Sequence, residues 1–175
     1  VQRQGKSLLY LTLQPDGFEA EKEYPLIILL HGFGAHMGDL AGLAPMIDPT
    51  GYVYACPNAP LAVEIGSGIT GYSWMPPREN GISADTQHTE TLLDVFFKEV
   101  MDEYSVSPGR VILGGFSQGG GLTLTCGLGQ PEMFAGLVAL SCSIREPTEL
   151  RKRLPIDLLL KLMQLEKRFW WTDVK

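Results

Sequence analysis

Apolar residues along this chain fall into two kinds of run, and the switch between them outlines the fold. Leu26-Ile27-Ile28-Leu29-Leu30 is apolar at every position, as expected of a strand covered on both faces in a mostly parallel sheet. Pro25 opens it and His31-Gly32-Phe33-Gly34 stops it. Residues 7–13 are β-compatible and run into the turn cluster Gln14-Pro15-Asp16-Gly17. Residues 52–56 form another short buried run, halted by Pro57, and residues 111–113 and 134–142 complete the predicted strands. Between them the period changes. Leu93, Phe96, Phe97, Val100 and Tyr104 fall at helical spacing, which predicts one long amphipathic helix with Ser83 and Asp85 available to cap its first turn. Residues 122–128 predict a second helix. Residues 58–81, rich in glycine and proline, read as a long loop, and long loops in compact domains are usually functional. Strands alternating with helices in this way predict a doubly wound α/β sheet.

Composition narrows the picture. At 175 residues the chain has room for one core, and its 45% apolar and 19% charged residues suit a globular protein. The net charge of -6 offers no basic footprint for a phosphate backbone, so nucleic acid is excluded as a partner. Cys56, Cys126 and Cys142 fit no metal-ligand spacing; no metal is expected, and they read as buried thiols in a reducing compartment. The first ten residues lack the pattern of a secretory leader, and no stretch is apolar enough for a bilayer span, so the expectation is a soluble cytoplasmic protein without membrane contact.

Chemistry enters at Gly115-Phe116-Ser117-Gln118-Gly119, a G-x-S-x-G pattern between a predicted strand and a predicted helix. A serine hydroxyl is a weak nucleophile and must stand where a base and an oxyanion site can both reach it; a sharp strand-to-helix turn provides that position. The second signal is His31-Gly32-Phe33-Gly34 directly after a buried strand. A glycine-bounded turn there frees backbone N–H groups for a developing oxyanion, and the expected pair is the amides of Phe33 and Gln118.

With Leu29-Leu30-His31-Gly32-Phe33-Gly34, Pro57-Asn58-Ala59-Pro60, Tyr72-Ser73-Trp74 and the run from Leu113 through Gly120, the chain resembles the phospholipase/carboxylesterase family of α/β hydrolases, which includes acyl-protein thioesterases. The resemblance covers about residues 8–154. It implies a three-layer α/β-hydrolase fold with a mostly parallel central sheet, and a Ser117 acyl-enzyme formed from short acyl esters or thioesters. It implies no cofactor, and it places Trp74 at the pocket entrance; simple packing of Trp74 is the alternative.

The family's pattern breaks after Pro155. A His-Gly-x-x-Asp turn and a later histidine complete the triad in the family, and neither motif is present here. Residues 155–175 read instead as an atypical amphipathic helical tail carrying Leu158, Leu162, Leu165 and Phe169, so the fold is expected to be truncated on its C-terminal side. Charge shifts at the same place: residues 1–150 hold 7 basic and 17 acidic side chains, residues 151–175 hold 7 and 3. The tail could cover the open sheet edge or join two copies, and a homodimer is expected through it. Three histidines exist. His31 belongs to the oxyanion turn, His36 follows it in a loop, and His88 falls in line with Leu92 and Phe96, which predicts a packed helix residue. His36 and His88 are weak candidates for the base. Asp173 lies 56 residues after Ser117, at the family's spacing for the acid but without its turn glycine. The reading is an ester hydrolase of reduced activity, with a non-catalytic binder of an acyl ligand or protein partner as the alternative.

Overall fold

The computed structural model describes residues 1–66, 68–76, 86–144 and 147–154. The chain divides into two units, Val1–Arg145 and Glu146–Lys175. The first carries a six-stranded sheet built from β1 (Gln2–Gln4), β2 (Leu9–Leu13), β3 (Leu26–Leu30), β4 (Val53–Pro57), β7 (Val111–Phe116) and β8 (Phe134–Leu140), in the order β1-β2-β4-β3-β7-β8. The four strands from β4 to β8 run parallel, and β1 and β2 add an antiparallel margin. A separate hairpin pairs β5 (Leu61–Glu64) with β6 (Thr70–Ser73). The helices of this unit are α1 (Met37–Ala41), α2 (Ala44–Ile47), α3 (Gln87–Glu103) and α4 (Gln118–Gly129). The described part of the second unit is α5 (Pro147–Arg153).

The continuous apolar run in β3 is used on both faces. Leu26, Ile28 and Leu30 point into the main core, where α3 contributes Leu93, Phe96, Phe97 and Val100 and α4 contributes Leu122 and Cys126. Ile27 points the other way, into a smaller cluster with Tyr54 and Ala44 of α2. Helices therefore cover both sides of the sheet, giving three layers. Phe96 meets Tyr10 edge-on at 5.2 Å and Phe97 meets Phe134 at 5.4 Å, so α3 is bolted to both margins of the sheet. Each of these fully buried side chains contributes about 1.5–3 kcal/mol.

Several expectations are revised. The glycine- and proline-rich stretch is not all loop, because Leu61 pairs with Ser73 and Glu64 with Thr70 across a hairpin. The short helices α1 and α2 were not anticipated, nor was β1. The second helix starts at Gln118, four residues earlier than its apolar pattern, because three consecutive glycines carry its first turn. His88 is exposed and not packed: the buried stripe of α3 runs through Thr89, Leu93, Phe96 and Val100, one position further round. Ser83, Asp85, Asp173 and the whole of residues 155–175, with the dimer contact expected of that tail, lie outside the described residues.

Candidate active site

Five register pairs, from Leu26↔Val111 to Leu30↔Gly115, lock β3 beside β7. Both strands end at the same edge of the sheet, so the turn after β3 and the turn after β7 emerge side by side. The first carries His31-Gly32-Phe33-Gly34, the second Ser117. A methyl group added to Gly32 would stand 3.5 Å from Ser117 Cβ, which measures how closely the turns approach. At Gly119 a Cβ would collide with the Leu30 carbonyl oxygen, so only glycine lets the first turn of α4 rest on the end of β3.

Ser117 has φ 53° and ψ -112°, a left-handed conformation that a residue with a side chain adopts only at a strain of about 1–3 kcal/mol. Its N–H is held by the Leu140 carbonyl at 2.9 Å and its own carbonyl accepts from Gly121 at 3.1 Å, so the bend is fixed from both sides. Ser117 lines a cavity of about 380 Å³ together with Phe33, Met75, Thr86, Gln118, Leu122, Thr125 and Cys142. The backbone N–H groups of Phe33 and Gln118 have no hydrogen-bond partner among the described residues. Gln118 is the first residue of α4, where an amide is left over by the helix ladder.

His31 is 1% exposed and faces away from this chemistry. The Ala59 amide donates to its Nε2 at 3.0 Å, and since a backbone N–H can only donate, the ring proton sits on Nδ1, which donates to the Gly32 carbonyl at 2.8 Å. Burial lowers its pKa below the ordinary histidine value, a shift that the bond to Gly32 opposes. His31 is thus a neutral strut between the turn after β3 and the chain after β4. The turn is also stitched to the hairpin, with the Gly34 amide donating to the Tyr72 carbonyl at 2.8 Å and the Tyr72 amide to the Ala35 carbonyl at 3.0 Å.

His36 caps α1: its Nδ1 accepts from the Gly38 amide at 3.0 Å while Asp39 accepts from the His36 amide at 2.8 Å, a reciprocal capping box. None of the three histidines lines the cavity with Ser117. Trp74 does not line it either; its neighbour Met75 takes that place, and the Trp74 ring is fully buried. A buried indole N–H needs an acceptor, and the His31 carbonyl supplies one at 2.8 Å. Burial also pushes the Cys56 thiol up to about 12, away from reactive thiolate, whereas Cys142 borders the cavity. The Gln118 side chain had no reading from sequence. Its Oε1 accepts from the Trp74 amide at 2.8 Å and its Nε2 donates to Ser73 Oγ at 3.1 Å.

Comparison with known proteins gives this arrangement a family. A sequence profile described as Phospholipase/Carboxylesterase matches residues 18–160. Acyl-protein thioesterase 1 of Emericella nidulans is 25% identical over 154 residues, covering 77% of this chain and 63% of that protein. Acyl-protein thioesterase 1 homolog 1 of Dictyostelium discoideum is 33% identical over 95 residues, covering 50% of this chain and 42% of that protein. The solved structure of esterase PE8 superposes with a TM-score of 0.70 at 27% identity, over 82% of this chain and 68% of that one. The chain therefore spans less than two thirds of the length of these two thioesterases. Strand order, the two turns at the ends of β3 and β7, and the extent of the profile match agree: the chain belongs to the phospholipase/carboxylesterase family and has the α/β-hydrolase fold.

Proposed function

We propose that the protein hydrolyses short-chain acyl esters or thioesters through an acyl-enzyme on Ser117. The observation that carries this reading is the conformation of Ser117: a strained φ of 53° at a cavity wall, beside two amides without hydrogen-bond partners among the described residues. In this scheme Ser117 Oγ attacks the carbonyl carbon and the carbonyl oxygen becomes an oxyanion held by the Phe33 and Gln118 N–H groups. The tetrahedral species expels the alcohol or thiol, which leaves with the serine proton, and water then cleaves the acyl-serine to the acid. The scheme calls for no cofactor and no metal.

Among the described residues no histidine lines the cavity; with proton transfer left to solvent, the expected rate is low. Oxyanion stabilisation and binding alone leave about 10³–10⁴ over water in hydrolases stripped of a triad. None of the three cysteines forms a disulfide, which suits the reducing, cytoplasmic setting we assign. Among the described residues no helix is long and apolar enough to cross a membrane.

The same absence of histidine favours a second reading, a non-catalytic fold that binds an acyl ligand or protein partner in the cavity. A fluorophosphonate probe and a short p-nitrophenyl ester, applied to wild type and Ser117→Ala, separate the two. Labelling and turnover that vanish in the variant support hydrolysis; equal turnover and no labelling at Ser117 leave only binding.

A further inference from the structure

Trp74 makes three hydrogen bonds that reach three different elements. Its indole Nε1 donates to the His31 carbonyl at 2.8 Å, one peptide before the unit that carries the Phe33 N–H. Its backbone N–H donates to Gln118 Oε1 at 2.8 Å, on the residue whose own amide opens α4. Its carbonyl accepts from Thr89 Oγ1 of α3 at 2.5 Å. The ring has no exposure and lies 5.2 Å from the His31 imidazole, leaving it little freedom to reorient. Gln118 Nε2 closes the assembly on Ser73 Oγ, which donates in turn to the Met75 carbonyl at 2.6 Å.

We propose that Trp74 is a positioning residue that sets the separation and aim of the Phe33 and Gln118 amides by bridging the two turns that carry them. This rests on the reading of those amides as the oxyanion site. The chain itself does not fix their spacing, because they lie 85 positions apart in sequence. The β3–β7 ladder brings the strand ends together, and each turn then has backbone torsions of its own. Trp74 removes that freedom, since one rigid residue holds a carbonyl in the first turn and a side-chain oxygen on the second. Its anchor on α3 comes from Thr89, which is buried and touches neither turn through any bond described.

Trp74→Phe keeps most of the buried volume and both backbone hydrogen bonds, and of the three bonds removes only the one from Nε1. In a variant verified as folded by circular dichroism, the rate of Ser117 labelling by a fluorophosphonate and the kcat for p-nitrophenyl acetate should fall about tenfold to a hundredfold, the loss expected of a misplaced but present group. KM should stay within about twofold, because Trp74 does not line the cavity. Selective ¹⁵N labelling of phenylalanine and glutamine should show the amide resonances of both Phe33 and Gln118 displaced. Unmoved resonances, or kinetics within twofold of wild type, overturn the assignment. Should Trp74→Phe not fold, Thr89→Val, which removes only the hydroxyl on the Trp74 carbonyl, carries the same measurements with the same two outcomes. If wild type itself is not labelled at Ser117, the hydrolytic reading falls, and the two resonances alone decide whether Trp74 positions the amides.

Discussion

The Ala59 amide reaches His31 Nε2 across 28 positions of chain, at 3.0 Å, and that bond exists only while the imidazole is neutral. Burial lowers the folded-state pKa of His31, so between that value and the ordinary one, about 6.5, the unfolded chain binds a proton that the folded chain refuses. The stabilisation is complete above the unfolded value and is lost as pH falls toward the folded one. The melting temperature should therefore drop as pH is lowered from about 6.5, and His31→Gln should lose that part of the slope while His88→Gln keeps it. Melting curves at half-unit steps check this; parallel curves for wild type and His31→Gln would remove His31 as the cause.

Ser117 holds a conformation that glycine adopts freely. Ser117→Gly should raise stability by about 1 kcal/mol in urea denaturation, the relieved strain less the larger entropy of the unfolded glycine. Fluorophosphonate labelling should be abolished in the same protein. Ser117→Ala keeps Cβ and should gain much less.

At Gly119 the added Cβ of alanine would meet the backbone carbonyl groups of Leu30 and His31 first, and neither can move without opening β3 from α4. Gly119→Ala should destabilise by about 3 kcal/mol, at the top of the usual range for overpacking. Gly129→Ala, at the other end of the same helix, has nothing within 4 Å and should be neutral or mildly stabilising by the same denaturation measurement.

Phe97 is fully buried and packs edge-on against Phe134 at 5.4 Å. Phe97→Ala should cost about 3–5 kcal/mol. A loss below 1 kcal/mol in equilibrium unfolding would mean that α3 is not clamped to the β8 side of the sheet.

Iodoacetamide should modify Cys142 in the native protein well before Cys56 or Cys126, because Cys142 borders the cavity while the other two are buried. Mass spectrometry after brief exposure reads the order, and early modification of Cys56 would contradict its place in the sheet core.

What sequence could disclose here follows from how each feature is encoded. The β3 run, the α3 periodicity and the Gly115–Gly119 pattern are local, and each was legible. The β5–β6 hairpin was hidden by its own glycines and by the prolines that flank it, although the β-compatible residues on either side of Gly66 and Gly68 are a usable hairpin signal. His88 was misplaced because Leu92 and Phe96 fit a stripe through 88 nearly as well as one through Thr89, and only packing against the sheet decides between them. The roles of Trp74 and of the Gln118 side chain left no pattern at all. Both consist of bonds from a side chain to distant backbone, and neither spacing nor composition records such a bond.

The parallel ladder between Leu26–Leu30 and Val111–Gly115 has one more implication, for how the protein tolerates change. Residues inserted at the tip of the intervening hairpin would leave the two turns as far apart as before, whereas a single extra residue within either ladder strand would carry Ser117 and the Phe33 amide out of register with each other. An engineer free to lengthen loops would have no such liberty along these ten positions.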